Sequence, residues 1–227
     1  MILCIVVDNE RTWFGPFAER LVRRLESFGS SYLLRSAEEI PDPSEVTFFL
    51  SCERKIAPTV LARSRHNLVV HASDLPEGKG MSPMTWQVLE GKNTVPVTLF
   101  EAVETIDAGT IYLKDLLRFQ GNELITEMQA VLGTKVIEMC ERFMSEYPNV
   151  IKMGAAQTGS GSSYRRRTLE DSRLDPEKTI AEQFNLLRVV DNERYPAFFE
   201  WKGRKFVLKI TASADVQGSG TGSGVAA

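Results

Sequence analysis

Two side chains in this sequence can take up and release a proton near neutral pH, His66 and His71, because imidazole has an unperturbed pKa of about 6.5. His66 lies in the charged stretch Arg63-Ser64-Arg65-His66 and reads as a solvated surface residue. His71 is placed differently. It ends the apolar run from Asn67 and enters the loop Asp74-Leu75-Pro76-Glu77-Gly78-Lys79-Gly80, whose proline and glycines set the path of the chain. Asp107 follows 36 residues after His71, in the turn Thr105-Ile106-Asp107-Ala108-Gly109. A carboxylate beside an imidazole favours the imidazolium and aims the ring. If the fold joins them, His71 and Asp107 can move a proton or steady a developing oxyanion. Each also has a plain reading, as a strand-end histidine and a turn aspartate. The thiols offer less: Cys4, Cys52 and Cys140 are far apart, follow no metal-ligand spacing and read as buried reduced cysteines. No metal is expected.

The elements that must position these residues are legible in outline. Ile2–Val7 is a continuous apolar run, as a strand covered on both faces requires. Phe14–Phe28 has helical spacing, with Gly29 placed as a C-cap. Short strands follow at Ser31–Leu34, Val46–Leu50 and Asn67–His71, and the alternation predicts a doubly wound, parallel-rich α/β sheet. Ligands of such sheets gather beyond the carboxyl ends of the strands, where Asp8, Ser51 and His71 fall. Ser82-Pro83 opens a helix through Leu89, with Ser82 as N-cap. Val95–Ala102 and Thr110–Leu116 read as strands flanking the Asp107 turn. Glu123–Tyr147 reads as a long amphipathic helix with Leu124, Met128, Val131, Val136, Cys140 and Phe143 near one face.

With 227 residues, 43% of them hydrophobic, the chain can build one sizeable domain and a small appendage. Residues 1–153 are assigned to the main domain and the Gly/Ser-rich 154–163 to a linker or mobile loop. Residues 164–211 form a C-terminal subdomain, with a helix at Pro176–Val190 and a hairpin of Ala197–Trp201 and Lys205–Ile210 joined across Lys202-Gly203-Arg204. Residues 212–227 read as a disordered tail. A net charge of −3 and a single basic cluster, Tyr164-Arg165-Arg166-Arg167, argue against nucleic acid as a partner. No segment has the ~18 apolar residues of a membrane span, and the amino-terminal run lacks a signal peptide's flanks. The expected location is the cytoplasm.

His71-Ala72-Ser73-Asp74-Leu75-Pro76, then Lys79-Gly80 and Pro83, then Asp107-Ala108-Gly109, together resemble the motif order of the formyltetrahydrofolate-dependent formyltransferase family. The resemblance continues through Phe48-Phe49-Leu50-Ser51-Cys52 and covers roughly Met1–Leu117. It implies a Rossmann-like formyltransferase domain and 10-formyltetrahydrofolate as formyl donor. It also implies His71 and Asp107 as catalytic residues, with Leu50, Ser51, Cys52 and Ile106 beside the folate. One position departs. The family's asparagine two residues before the histidine is Val69 here, and Asn67, on the same strand face, would lie roughly 13 Å from His71. Ser73, Lys79 or backbone amides are left to compensate.

The acceptor is read from what surrounds this motif. The stretch Asp8-Asn9-Glu10-Arg11-Thr12-Trp13 lacks the Gly-rich phosphate loop of glycinamide ribonucleotide formyltransferases, and no basic tRNA-binding domain follows. It is similar instead to sugar N-formyltransferases, as are Arg166-Arg167-Thr168-Leu169-Glu170-Asp171-Ser172, Asn185-Leu186-Leu187-Arg188 and Tyr195-Pro196-Ala197-Phe198. The resemblance is nearest to enzymes of pseudaminic-acid and flagellin-glycan pathways. It implies an amino-dideoxy sugar nucleotide as substrate, held by Asp8, Asn9, Trp13, Ser73, Lys79, Arg166, Asn185 and Arg188, and allows a homodimer. Three alternatives stand: a binding module without turnover, an enzyme acting like methionyl-tRNA formyltransferase, and one hydrolysing formyltetrahydrofolate.

Overall fold

In the computed structural model residues 1–9 and 11–213 are described. Its centre is a six-stranded sheet in the order β2-β1-β3-β4-β6-β7, built from β1 (Ile2–Val6), β2 (Ser30–Leu34), β3 (Ser44–Phe49), β4 (Ser64–His71), β6 (Thr94–Glu101) and β7 (Ile111–Arg118). The pairs β2-β1, β1-β3 and β3-β4 are parallel, whereas β4-β6 and β6-β7 are antiparallel. Strand order therefore reverses between β1 and β3, and a crevice opens there at the carboxyl ends. The parallel-rich α/β reading holds, with two antiparallel pairs, of which β6-β7 is the one its short connection accounts for.

One face of the sheet carries the main core. Leu3, Ile5, Phe48, Leu68 and Leu99 pack there against α1 (Gly15–Leu25) and α4 (Ile125–Glu146). Alternate residues Cys4, Val6, Phe49 and Val69 face the other way, onto Ile40 and Val60. This second layer is thinner, made partly by α2 (Pro58–Leu61) and by loops. His71 shares the parity of Val69 along β4 and so belongs to this loop-covered face. The long helix forms as expected, with Met128, Val136, Cys140 and Phe143 buried, although Val131 is 40% exposed.

Local details differ from the sequence reading for identifiable reasons. Helix α1 stops at Leu25, and Gly29 lies so close to the carbonyl of Met1 that a side chain would collide with it. Ser82 does precede α3 (Pro83–Leu89), but in a left-handed conformation (φ 53°) and without a capping hydrogen bond. The helix expected over Pro176–Val190 contracts to α6 (Phe184–Arg188). The Gln183 side chain ties itself to the backbone of Asp175 instead, accepting from its nitrogen at 2.7 Å and donating to its oxygen at 3.0 Å, a local competitor to helix.

The stretch 154–163, read as a linker, is anchored at several points. Ala155 bridges Ile111, and Ser163-Tyr164 (β8) pairs in parallel with Lys79-Gly80 (β5). A short helix, α5 (Asn149–Lys152), precedes it. The hairpin joins β9 (Ala197–Trp201) to β10 (Arg204–Leu208), with Arg204 opposite Trp201. Its turn is therefore the two residues Lys202 and Gly203, both at positive φ, as a tight hairpin turn demands. Leu174, Leu187, Val190 and Ala197 give this C-terminal unit a small core of its own. Residues 214–227, nearly all of the predicted tail, lie outside the described residues.

Candidate active site

The Asp107 loop must fold back to reach His71. Because β6 runs antiparallel to β4, its end at Glu101 pairs with Leu68, and Thr98 lies beside His71. Residues 102–110 therefore return along the loop-covered face before β7 begins. Gly109 makes this possible: a side chain there would overlap the carbonyl of Glu101. Asp107 itself takes a left-handed conformation, φ 52°, and so do Ser51 (56°) and Ser82 (53°). All three line one cleft. Non-glycine residues held in this region are strained, and such strain concentrates at functional sites.

The cleft has a volume of about 570 Å³, within the usual range for small-molecule sites. His71 and Asp107 both line it, with side chains only 11% and 12% exposed and Nε2 of His71 3.9 Å from Oδ2 of Asp107. The two are close without being hydrogen-bonded to each other. Nε2 of His71 lies 2.9 Å from the carbonyl oxygen of Gly78, and Oδ2 of Asp107 accepts the backbone N–H of Gly80 at 2.8 Å. A carbonyl can only accept, so the neutral ring carries its proton on Nε2 and its lone pair on Nδ1.

The remaining candidates divide. Leu50, Ser51, Cys52, Ile106, Trp13 and Arg166 line the same cleft as the pair. The Cys52 thiol donates to the carbonyl of Val6 at 3.4 Å; burial and the nearby Asp8 carboxylate push it up to about 12, which keeps it protonated. Asp8 and Asn9 shape the loop after β3 rather than the cleft wall. Asp8 accepts the backbone nitrogens of Glu53 and Arg54 at 3.1 and 3.2 Å, and Asn9 donates to Glu53 at 2.9 Å. Thr12 and Ser51 join the β1 and β3 loops by a hydroxyl-hydroxyl bond of 2.7 Å.

Four further sequence candidates, besides Asp8 and Asn9, are not brought to the cleft. Ser73 is buried behind it, and its hydroxyl has no partner among the described residues. Lys79 contributes backbone pairing to β8. Arg188 is fully buried between elements: it donates to Asn93 at 2.8 Å, to the Glu123 carboxylate at 2.9 Å and to the Glu123 carbonyl at 3.0 Å. Asn185, on the same short helix, lies near Gly91 at the end of α3. Helical spacing could nominate these polar residues but not say which neighbour their face would meet. Asn67 is likewise committed, its amide donating to the carbonyl of Leu61 at 2.9 Å. Val69, where the motif this chain resembles has an amide, presents an apolar surface packed with Leu75, Phe100 and Ile111.

Several lining residues escaped the sequence reading. Arg54 and Lys55 follow the end of β3, a position that could have signalled them. Gln129, Asp191 and Arg194 arrive by tertiary packing and carry no local signal, whereas Arg167 and Tyr195, which also line the cleft, belong to the stretches Arg166–Ser172 and Tyr195–Phe198 singled out in the sequence. Arg167 donates to the carbonyl of Val189 at 3.1 Å and to Ser172 at 3.2 Å, while its buried Nε has no partner among the described residues. Burial lowers its guanidinium from the ordinary value. Among the described residues no three His, Cys, Asp or Glu side chains cluster as metal ligands, and no helix is long and apolar enough to cross a membrane.

No protein-family model matches the chain. Solved structures do. A methionyl-tRNA formyltransferase from Clostridium thermocellum superposes with a TM-score of 0.74 at 19% identity, over 94% of this chain and 93% of that one. A sugar N-formyltransferase from Shewanella gives 0.68 at 15% identity, over 95% and 99%. HypX from Aquifex aeolicus, in complex with tetrahydrofolic acid, gives 0.65 at 19% identity, over 92% of this chain but 37% of that one. Two enzymes with different acceptors and one part of a larger protein thus share a single architecture with this chain, and that architecture is the formyltransferase fold.

Proposed function

We propose that the chain transfers a formyl group from 10-formyltetrahydrofolate to the primary amine of an amino-dideoxy sugar nucleotide. The observation that carries this reading is the His71–Asp107 pair, 3.9 Å apart and nearly buried in one cleft. The lining suits both substrates. Leu50, Val69, Phe100 and Ile106 offer apolar surface to a pteridine, and the exposed cations Arg54, Lys55, Arg166 and Arg194 offer charge to a diphosphate. The buried Nε–H of Arg167, without a partner among the described residues, is a further donor for that group.

In this mechanism the acceptor amine attacks the formyl carbon, a C–N bond forms and the carbonyl oxygen becomes an oxyanion. Nδ1 of His71, the lone-pair nitrogen, takes the proton that the attacking amine must lose. The imidazolium so formed faces the Asp107 carboxylate, which stabilises it. The same proton then passes to the departing folate nitrogen as its bond to carbon breaks. Val69 supplies no oxyanion donor, so that role falls to the imidazolium and to backbone amides.

The test is incubation with 10-formyltetrahydrofolate and a panel of amino-sugar nucleotides, read by mass spectrometry, with methionyl-tRNA as a competing acceptor. Formylated sugar nucleotide is the expected product. Formylated tRNA alone, or release of formate with no acceptor modified, would move the chain to another activity. Folate binding with no turnover would make it a binding module. A homodimer through the hairpin, where Trp201, Phe206 and Val207 stand exposed, belongs to the same reading. Sedimentation of the chain against Val207→Lys tests it, and a monomer in both removes it. Activity in a reducing cytoplasm accords with three free thiols.

A further inference from the structure

We infer that the Gly/Ser-rich stretch around Ser162 is a positioning strap for the proposed catalytic histidine, fixing which ring nitrogen of His71 carries the proton. The inference rests on the reading of His71 as the proton carrier, but its geometry stands alone. Three consecutive backbone N–H groups of the loop after β4 are each taken by a fixed acceptor. Gly78 donates to Oγ of Ser162 at 3.0 Å, Lys79 to the carbonyl of Ser162 at 3.0 Å, and Gly80 to Oδ2 of Asp107 at 2.8 Å. The carbonyl that receives Nε2–H of His71 belongs to Gly78, in the same peptide unit as the N–H of Lys79. One peptide plane is thus pinned by the strap on its N–H side and presents its oxygen to the imidazole on the other.

The strap is fixed at both ends. Upstream, Ala155 bridges Ile111 and the Gln157 amide donates to the carbonyl of Gly109 at 2.9 Å, two residues from Asp107. Downstream, Tyr164 stacks on Trp86 with ring centroids 6.1 Å apart, its hydroxyl bonded to Glu90 at 2.9 Å, and the Trp86 indole donates to the carbonyl of Arg165 at 2.9 Å. Between these anchors Gly161, at φ 68°, passes so close to the carbonyl of Pro76 that a side chain would overlap it. The composition that reads as a flexible linker is what lets the backbone approach the loop this closely. With Nε2–H committed to Gly78, Nδ1 is left as the ring's acceptor. Nδ1 makes no hydrogen bond among the described residues.

The experiment reads the tautomer directly. The chain has only two histidines, so the long-range 15N spectrum of histidine-labelled protein holds two rings, assigned by His66→Gln. In the unaltered chain above the imidazole's titration, His71 is expected as the Nε2–H form. A proton on Nδ1 there would overturn the inference without any variant. Ser162→Ala removes the acceptor of the Gly78 N–H while the main-chain carbonyl of Ser162 still holds Lys79, so the Gly78 peptide is loosened on one side and a detectable Nδ1–H population should appear. Formyl transfer should then fall about 10- to 100-fold in kcat with little change in KM for the donor, as loss of orientation predicts. Ser162→Thr keeps the acceptor oxygen and should restore both readouts, whereas Ser160→Ala should alter neither. A Ser162→Ala protein with the unaltered tautomer would sink the inference whatever its kinetics. Should no variant or parent transfer formyl, the tautomer result still decides the strap's role, and the loss falls on the functional reading alone.

Discussion

At position 69 the chain carries a valine where the family motif has an amide, and the structure shows why the exchange is stable. Val69 lies opposite Phe49 and Phe100 in the sheet and packs with Leu75 and Ile111. Val69 is half-buried and lines the cleft, so Val69→Asn would exchange these apolar contacts for a partly desolvated amide facing the cleft, at a cost of about 1 kcal/mol. Denaturant midpoints should show that loss, and turnover should not rise. A dead parent revived by the substitution would instead identify a decayed site. His71→Asn should lower kcat by about 10²–10⁴ with folate affinity, measured by calorimetry, nearly intact, because the role proposed for it lies in the transition state. More than a tenth of the parental rate would remove it from the mechanism. Asp107→Asn is the cleaner neighbour, since an amide oxygen can still accept from Gly80 while the charge is gone. A comparable fall in kcat is expected; an unchanged rate would leave Asp107 as a loop residue. That the two side chains would meet was legible because the motif the chain resembles fixes their order and spacing; their roles are those proposed above. That the nearest acceptor to Nε2 is the carbonyl of Gly78 was not legible, since no side chain announces a backbone contact.

Elements were legible where periodicity was strong and obscure where side chains bond their own backbone. The strands of the sheet, α1 and α4 follow from apolar spacing, whereas Gln183 and Asp175 turn a helical pattern into a string of turns. The segment after the strap is organised by another such residue. Asp171 accepts the backbone and hydroxyl of Thr168, at 2.7 and 3.0 Å, and pairs with Arg165. The Arg165 guanidinium, first, and then the Thr168 donors hold its carboxyl well below the usual carboxylate range. A carboxyl depressed in the folded state stabilises above its unfolded pKa, about 3.9, and that contribution fades as pH falls toward the folded value. Asp171→Asn should therefore melt about 2–4 °C below the parent at pH 7, and the gap should narrow below about pH 4. A gap independent of pH down to 2 would show that the charge of Asp171 does not matter.

The whole molecule is a sheet with one thick and one thin face, and the C-terminal unit is bound to it through Arg188. Its guanidinium is fully buried, and desolvation lowers its pKa while Glu123 raises it. Removing one partner of a buried pair costs about 3–5 kcal/mol; the Glu123 side chain keeps 19% exposure and two backbone donors, so Arg188→Ala should lose roughly 3 kcal/mol. Chemical denaturation measures this, and a loss under 1 kcal/mol would show that the unit is held by its apolar contacts. The pairing of β5 with β8 has a different consequence, one of timing. On the ribosome, His71, Asp107 and all six strands of the sheet are synthesised before Ser162, yet the loop that accepts the Nε2–H hydrogen bond has no clamp until the strap arrives. A nascent chain halted at 153 should fold its sheet and remain silent, and a separately supplied peptide spanning 154–213 should switch it on.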